Sequence, residues 1–502
     1  MRSSRHPLLY EANTRVWLTR LRRQLDRRVT LDDIPDPELD ALATAGFEWV
    51  WMLGVWKTGP LGRAISRSRP EWRREFEHVL PDLTDADIGG SCFAIQEYTV
   101  SRDLGGAAAL KRLRARLASR GLRLMLDFVP NHLAPDHPWV VSHPDYFVSG
   151  TAEDLERAPQ NYFPTTRRDG VSRILAHGRD PWFPGWPDTV QLNYANPEVQ
   201  AAMTDQLLQV ARQCDGVRCD MAMLLLPEVF ERTWHRAAPE FWPGAIRRVR
   251  EAHPGFLFLA EVYWDLEWTL QQQGFDLCYD KRLYDRVSNG AAGPVRDHLR
   301  ADPAYQARLA RFLENHDEPR AAAAFDPGRH GAAAVLTYLA PGLRFFHQGQ
   351  REGCRVRIPT HLVRGPEEVV DDSLRHFYNA LFDVLSLPAV REGDWQLLDT
   401  PSAWEGNGTS EHFIAYAWTS ADGPRVLVTV NFSGNRGQCF VRLPWADLPG
   451  RSWRLRDQLG TASYDREGDD LAARGLYLDV PAWHAHVFEV SVAGPVQDVP
   501  AA

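Results

Sequence analysis

Four short stretches of the sequence place a carboxylate at the end of an apolar run, and in three of them histidine, arginine or asparagine lies close by. They are residues 127–132 (DFVPNH), 216–222 (GVRCDMA), Glu261 within FLAEVYW, and 314–317 (ENHD). In a barrel of parallel strands, the residues at the carboxyl ends of the strands meet at one mouth. A single strand-end carboxylate is commonplace, whereas this combination at four strand ends predicts an active site.

The residue types in this set suit the cleavage of a glycosidic bond. A retaining glycosidase uses one carboxylate as a nucleophile and a carboxylic acid about 5–5.5 Å away as a proton donor. Arg218 lies two residues before Asp220, so both side chains point to one face of an extended strand, and the guanidinium would keep Asp220 ionised. Glu261 has apolar neighbours, which raise the pKa of a carboxyl group and favour the acid role.

The elements that must position these residues follow an alternating pattern from residue 8 to about residue 390. We predict eight strands, at 9–17, 48–55, 122–129, 216–221, 256–262, 275–279, 310–313 and 343–346, with helical segments between them. Most of the strands are near-continuous apolar runs, as expected for strands buried on both faces. The pattern predicts an α/β fold of the (β/α)8 TIM barrel class.

Two further regions depart from this alternation. About sixty residues after the third strand are rich in proline, glycine and aromatic residues, too many for a simple loop, and they predict a small inserted subdomain. Beyond residue 391, short alternating runs separated by turn residues predict an all-β sandwich. The predicted domains are the barrel (1–132 and 195–390), the insertion (133–194) and the C-terminal β-sandwich domain (391–502).

Composition and charge exclude several other classes of protein. The net charge of −9, from 57 basic and 66 acidic residues, argues against a nucleic-acid partner. The sequence holds no run of about 18 apolar residues, which argues against a membrane partner. Charges recur every few positions in residues 1–25, unlike a secretory signal, so we expect a cytoplasmic location. The oligomeric state is left open.

In order and in position along the predicted barrel, the four stretches resemble the signature regions of the α-amylase family, glycoside hydrolase family 13. The resemblance extends over nearly the whole chain, including the insertion and the C-terminal domain. It implies that Asp220 is the nucleophile that forms a glycosyl-enzyme, that Glu261 is the general acid/base, and that Asp317 stabilises the transition state.

The resemblance also implies residues that hold the sugar. His132 and His316 would bind hydroxyls of one ring, and Arg218 would position the nucleophile. A neutral imidazole offers one donor and one acceptor, which suits a hydroxyl; a zinc site is the alternative, but its other ligands would have to be the catalytic carboxylates. Phe93 falls where the family usually has a tyrosine, and we expect it to stack on the sugar, with packing in the barrel mouth as the alternative.

The sequence departs from starch-cleaving family members just after the nucleophile. Those members often carry Lys-His where this chain has Met223 and Leu224. We expect the two residues to line an apolar subsite for the leaving group; the alternative is that both pack against the fourth helix. Residues 180–188 (DPWFPGWPD) are dense in aromatic residues, and they form either a local core of the insertion or a wall that lines the sugar.

A structural calcium is a further open question. Asn131 matches the asparagine that binds calcium in many family members. Calcium needs about six to eight oxygen ligands, and the other ligands are not identifiable in the insertion. We therefore expect no required cofactor, with a structural calcium at Asn131 left open.

Taken as a whole, the sequence predicts an enzyme with a carbohydrate substrate. We expect a retaining glycoside hydrolase that cleaves α-glucosidic bonds of malto-oligosaccharides, storage glucan or small α-glucosides. The alternative is a transglycosylase that moves a glucosyl or maltosyl unit to a sugar, a polyol or phosphate, because the same glycosyl-enzyme serves both reactions. A third reading, an inactive binding or subunit protein, is disfavoured because all three carboxylates are present.

Overall fold

The computed structural model describes residues 4–166, 172–420 and 425–493. Its centre is a closed barrel of eight parallel strands, which confirms the predicted TIM barrel. The strands are β1 (Leu8–Asn13), β2 (Trp49–Leu53), β3 (Arg123–Phe128), β4 (Gly216–Cys219), β5 (Leu257–Ala260), β6 (Leu277–Tyr279), β7 (Leu309–Arg311) and β8 (Leu343–His347). Strand β1 pairs with both β2 and β8, which closes the ring.

The strands form where the apolar runs predict them, because β-rich segments buried on both faces suit the centre of a barrel. All five residues of β2 and all five of β8 are buried. The prediction for the first strand, 9–17, was wrong at its end. Asn13 accepts a hydrogen bond from the backbone N–H of Val16 at 3.3 Å and so caps the helix Thr14–Leu25.

Helices surround the barrel, as the alternating pattern predicts. Those that follow the strands and complete the outer ring are Thr14–Leu25, Asp36–Thr44, Gly106–Ala118, Pro197–Ala211, Pro227–Trp234, Trp242–Ala252, Glu267–Gln272, Lys281–Asn289, Ala292–Leu299, Pro303–Gln306, Ala321–Ala324, Pro327–Tyr338, Asp372–Ser386 and Pro388–Glu392. Within the described ranges, no helix combines the length and the apolar character needed to cross a membrane.

Two excursions rise from the barrel mouth. After β2 come the antiparallel strands Trp56–Thr58 and Ile95–Val100, with the helices Pro60–Ser68 and Pro70–Val79 between them in the chain. After β3 comes the predicted insertion. Its elements are the strands His132–Leu133, Ser149–Gly150, Tyr162–Thr166, Ser172–Ala176 and Val190–Gln191 and the helices Pro138–Ser142 and Ala152–Arg157. The antiparallel pair of His132–Leu133 with Val190–Gln191 joins the two ends of the insertion beside the site.

The described part of the C-terminal region is mostly β, with one short α-helix, Gly468–Arg474, and one 3-10 helix, Gly408–His412. Its six-stranded sheet contains Asp394–Leu398, Phe413–Thr419, Arg425–Asn431, Ser452–Asp457, Ser463–Glu467 and Ala485–Val492, and a second sheet pairs Gly437–Val441 with Leu476–Val480. Residues from both sheets share one buried apolar cluster. Part of the predicted domain, 421–424 and 494–502, lies outside the described residues, and the three domain boundaries stay predictions.

Candidate active site

Arg218 lies at the centre of the barrel mouth and contacts both predicted reactive carboxylates. Its Nη1 is 2.7 Å from Asp220 Oδ1 and its Nη2 is 2.8 Å from Glu261 Oε2. Its Nε donates to the hydroxyl of Tyr279 at 3.2 Å, and its side chain is fully buried. Because one planar guanidinium bridges the two carboxylates, they are held side by side, as a retaining pair must be.

The backbone after β4 turns sharply at the nucleophile position. Asp220 is 5% exposed, and its N–H donates to the carbonyl of Phe128 at 2.9 Å, which extends the barrel ladder to this residue. Met221, next in sequence, has a φ of 42°, an uncommon conformation for a residue with a side chain. This turn aims the N–H of Met221 at Glu261 Oε2, 2.6 Å away, so the backbone strain serves the site.

Glu261, at the end of β5, is buried and held at both oxygens. Arg218 and the N–H of Met221 bind Oε2, and the hydroxyl of Tyr263 donates to Oε1 at 2.9 Å. Burial raises the pKa of Glu261 to about 7, with the charges of Asp220 and Asp317 acting in the same direction and Arg218 opposing them. A carboxyl group that keeps its proton near neutral pH can act as the acid.

Asp317, in the loop that follows β7, has the opposite electrostatic environment. Nearly half of its side chain (45%) is exposed, and its Oδ2 is 3.0 Å from His316 Nε2. Burial acts to raise the pKa of this carboxyl group, but His316 and Arg218 outweigh it and hold the pKa at about 2. Asp317 is therefore ionised and faces the open mouth, where it can accept hydrogen bonds from sugar hydroxyls.

Glu11 is a buried carboxylate that the sequence analysis missed. It lies near the end of β1, has no exposed surface, and places Oε1 2.5 Å from His316 Nδ1. Burial disfavours charge on His316, but Asp317 and Glu11 on its two sides outweigh burial and raise its pKa well above the usual range. The signal in the sequence was a glutamate inside the apolar run LLYEAN.

The structure brings two more of the predicted residues to this mouth. Burial lowers the pKa of His132, so its imidazole is neutral and offers one donor and one acceptor. Phe93 is half-buried, with its ring centroid 5.4 Å from that of His316 and 5.2 Å from the guanidinium carbon of Arg218. Both positions suit contact with a sugar, although the roles themselves stay predictions.

Met223 and Leu224 follow closely after the turn at Asp220 and Met221, and both side chains pack into the protein interior. They lie in a short 3-10 helix after β4 and are 0% and 3% exposed, within the main hydrophobic cluster. Burial of apolar side chains in the core is the favourable outcome for such residues. This packing is what the alternative predicts, and a role for the two residues in a leaving-group subsite stays a prediction.

The surroundings of Asn131 do not fit calcium. Its Oδ1 and its backbone carbonyl each accept a hydrogen bond from Gln191 Nε2 at 3.0 Å, and the carbonyl of Leu192 accepts a third at 3.1 Å. The amide nitrogen of Gln191 thus occupies the point where these oxygens converge, and its hydrogens would repel a cation. Among the described residues, no group of three or more His, Cys, Asp or Glu could hold a metal ion, which also disfavours the zinc alternative.

Comparisons with known proteins agree with this geometry. Residues 86–275 match the family model for the α-amylase catalytic domain, a range that includes three of the four motif stretches. The α-amylase MalA of Haloarcula japonica is 25% identical over 67% of this chain and 46% of its own length. The trehalose synthase/amylase TreS of Mycobacterium tuberculosis is 27% identical over 48% of this chain and 44% of its own length. The matched region thus spans less than half of either relative.

Solved structures support the fold over nearly the whole chain. A maltogenic α-amylase, AmyB, from Thermotoga neapolitana superposes with a TM-score of 0.68 at 18% identity, covering 98% of this chain and 99% of that one. At this level of identity the likeness concerns the fold alone. The family model, by contrast, matches the sequence around the site itself, and together these findings support an enzyme similar to the α-amylase family.

Proposed function

We propose that this chain is a retaining glycoside hydrolase that cleaves α-glucosidic bonds of malto-oligosaccharides, storage glucan or small α-glucosides. The observation that carries the proposal is the bridge from Arg218 to both Asp220 and Glu261. It keeps a nucleophile and a proton donor adjacent, while burial raises the pKa of Glu261 to about 7. These are the two requirements of the retaining reaction.

The reaction proceeds in two displacements at the same carbon. In the first, an oxygen of Asp220 attacks the anomeric carbon while Glu261 gives its proton to the glycosidic oxygen, so the bond to the leaving sugar breaks as the glycosyl ester forms. In the second, ionised Glu261 takes a proton from water, whose oxygen attacks the same carbon and releases Asp220. The product keeps the α configuration.

The neighbouring residues prepare each step. The N–H of Met221 and the hydroxyl of Tyr263 hold the carboxyl group of Glu261 in one orientation. Ionised Asp317 and neutral His132 offer acceptors and a donor to the ring hydroxyls. Such fixed polar groups stabilise the transition state because they do not need to reorient as its charge develops.

The covalent step is directly testable by trapping. In Glu261→Gln, α-glucosyl fluoride can still glycosylate the enzyme because fluoride leaves without a proton, but no base remains to activate water. We expect a glucosyl adduct, identified by mass spectrometry on the peptide that contains Asp220. The wild-type enzyme under the same quench is the control. An adduct on another residue, or β-glucose as the first product by proton NMR, would show the proposal to be wrong.

Transglycosylation is the second candidate, favoured by the similarity to a protein named trehalose synthase/amylase. In that reaction a sugar, a polyol or phosphate takes the place of water in the second displacement. Incubation with maltose, maltotriose and trehalose, each with and without phosphate, separates the two. Products that are all shorter than the substrate, such as glucose and maltose from maltotriose, support hydrolysis, whereas a longer product, an isomerised disaccharide or a sugar phosphate supports transfer.

The remaining expectations concern the surroundings of the enzyme. We propose a carbohydrate as the ligand, neither nucleic acid nor membrane as a partner, and a cytoplasmic location. The net charge of −9 supports the exclusion of nucleic acid, because a negatively charged chain repels its phosphates. Cell fractionation with an antibody to the chain tests the location.

A further inference from the structure

Three arginines lie on the wall of the mouth that is opposite the proton donor. Arg15 follows β1, Arg63 lies in the helix Pro60–Ser68 after β2, and Arg357 lies in the loop after β8. Strands β8, β1 and β2 are neighbours in the ring, whereas β5, which Glu261 follows, is on the far side of the ring from β1. We call these three residues the arginine wall.

Arg15 forms no ion pair with a carboxylate among the described residues. Its Nη1 donates to the carbonyl of Gly90 at 2.9 Å, and its Nη2 donates to the carbonyl of Thr360. The two oxygens of nearby Asp127 instead accept hydrogen bonds from an indole N–H and a backbone N–H, each at 2.9 Å. The positive charge of this half-buried side chain is therefore not neutralised by a direct partner.

Arg63 is even less compensated. Its side chain has neither a hydrogen bond nor an ion pair within the described part of the chain, although its Nε is buried. Asp136 accepts a hydrogen bond from the backbone N–H of Leu61 at 3.0 Å, at the start of the same helix, and is not bonded to Arg63.

Arg15 and Arg63 lie on two sides of Gly90. Arg15 donates to the carbonyl of this glycine, and a β-carbon added to it would lie 3.1 Å from the backbone nitrogen of Arg63. Burial lowers the pKa of Arg15, and the charge of Arg63 acts in the same direction because like charges repel. Partly buried cations without a counter-ion are costly, so an anion would stabilise this arrangement.

The loop after β8 connects the parts of the arginine wall. Thr360 in this loop accepts the second hydrogen bond of Arg15, and Nδ1 of His361 is 2.9 Å from the hydroxyl of Ser66, one turn after Arg63 in its helix. The elements that carry the three arginines therefore contact one another at one side of the mouth.

Arg357 extends the arginine wall toward the residues that would hold the sugar. Burial acts to raise the pKa of Asp317, and Arg357 is one of the cations that outweigh it. Arg357 Nη2 is 2.6 Å from Glu75 Oε1, and both of these side chains are partly exposed. The positive charge thus reaches from the excursion after β2 to the place where Asp317 faces the open mouth.

We propose that the arginine wall binds a phosphate monoester on the sugar that becomes the glycosyl-enzyme, so that phosphorylated α-glucosides are preferred over unphosphorylated ones. This inference rests on the proposed function, because the wall faces the retained sugar only if Glu261, on the opposite side, protonates the oxygen of the leaving group. Guanidinium groups bind phosphate through charge-assisted hydrogen bonds, and a phosphate monoester carries a charge of about −1.5 to −2 at neutral pH. A neutral glucose unit has no group that would compensate these cations.

The test compares two substrates that differ only in the phosphate. They are 4-nitrophenyl α-glucoside 6-phosphate and 4-nitrophenyl α-glucoside, which have the same leaving group. In the wild type we expect kcat/KM to be about 100-fold higher for the phosphorylated substrate. For Arg63→Gln we expect this ratio to fall by about 10–100-fold, the range for the loss of one hydrogen bond to a charged group. Arg63→Lys keeps the charge and should recover part of the ratio.

Arg73→Gln is the matched control. Arg73 also lies in the excursion after β2, but its guanidinium is paired with Glu77 at 3.1 Å and with Asp85 at 2.9 Å, so we expect the ratio to stay at the wild-type value. A wild-type enzyme without a preference for the phosphorylated substrate, or an unchanged ratio in Arg63→Gln, would overturn the phosphate site.

Inorganic phosphate is the other source of the same chemistry. It is added to the reaction with unphosphorylated 4-nitrophenyl α-glucoside, and we expect glucose as the product and no glucose 1-phosphate. Formation of glucose 1-phosphate would make free phosphate the ligand and would overturn the proposal of a phosphorylated substrate.

A binding measurement separates this proposal from the proposed function. Glucose 6-phosphate and glucose are titrated by calorimetry into the wild type and into Arg63→Gln. We expect glucose 6-phosphate to bind at least about tenfold more tightly than glucose, and the variant to lose this difference. If the difference is found but neither glucoside is cleaved, the proposed function is wrong and the phosphate site stands. If the difference is absent, the phosphate site is wrong whether or not the glucosides are cleaved.

Discussion

Two fully buried arginines of the barrel, Arg218 and Arg311, have contrasting surroundings. Arg218 bridges two carboxylates, Asp220 and Glu261. Arg311 forms an ion pair with Asp280 and lies next to a histidine whose pKa is lowered to about 4 by burial and which is therefore neutral. The first cluster carries an excess of negative charge, and the second is balanced.

Burial together with the excess of negative charge makes the first cluster chemically competent. Burial raises the pKa of Glu261, the charges of Asp220 and Asp317 add to this, and Arg218 opposes it, so that Glu261 keeps a proton near neutral pH. In the second cluster both oxygens of Asp280 are used structurally: Oδ1 caps the helix Lys281–Asn289, and Oδ2 lies 2.9 Å from His298 Nε2. Buried ion pairs are therefore poor markers of function by themselves, whereas unbalanced ones are informative.

The largest expected effect comes from removing the nucleophile. We expect Asp220→Asn to lower kcat by about a thousandfold or more, because an amide cannot form the glycosyl ester. Steady-state kinetics on maltotetraose measures this, and circular dichroism checks that the fold is intact. A variant that keeps a tenth of the wild-type turnover would rule out Asp220 as the nucleophile.

Replacing the acid should separate substrates by leaving group. In Glu261→Gln we expect cleavage of maltotetraose to slow by about 10²–10⁴-fold, the usual contribution of general acid catalysis, while the glycosylation step with α-glucosyl fluoride changes far less. Pre-steady-state kinetics resolves that step. Equal losses on the two substrates would mean that Glu261 has a different role.

Replacing Glu11, which acts on the site through His316, should have an intermediate effect on activity. Glu11→Gln removes one of the two carboxylates beside His316, so the pKa of His316 should fall and its hold on Asp317 should weaken. We expect kcat/KM to fall about tenfold, in line with a small misplacement of a catalytic group. NMR titration of His316 is the second measurement, and an unchanged pKa there would contradict the account.

The pH profile should report the raised pKa of Glu261. The first displacement needs the protonated form, so kcat/KM should be lost as pH rises through about 7, while activity below that value is limited by other groups. Tyr263→Phe removes a hydrogen bond that favours the ionised form, so this limb should move to higher pH. A limb that moves to lower pH would contradict the assigned hydrogen bond.

The smallest effect on catalysis is expected in the balanced cluster. Asp280→Asn leaves Arg311 buried without its counter-ion and should destabilise the fold by about 3 kcal/mol, seen as a lower midpoint in urea. At 25 °C the folded variant should keep kcat within about twofold of wild type, because Asp280 touches no reacting atom. A large loss of kcat without a loss of stability would erase the distinction between the two clusters.

Much of the fold could be predicted from local patterns. The eight barrel strands are near-continuous apolar runs, and burial on both faces makes such runs recognisable. The C-terminal strand Ser463–Glu467 could not be predicted in this way, because every one of its residues is exposed. A strand held by its backbone at the edge of a sheet leaves no apolar signal in the sequence.

The sequence by itself determined which reactive groups stand at the strand ends, because strand direction and the alternation of side chains place Arg218, Asp220 and Glu261 at one mouth. Only the tertiary structure decided which residues, distant from each other in the sequence, come into contact. Glu11 contacts His316, which lies 305 residues away in the sequence, and Gln191 donates hydrogen bonds to both oxygens of Asn131. These contacts depend on how loops turn and how the barrel closes, and neither is encoded in the spacing of residues along the chain.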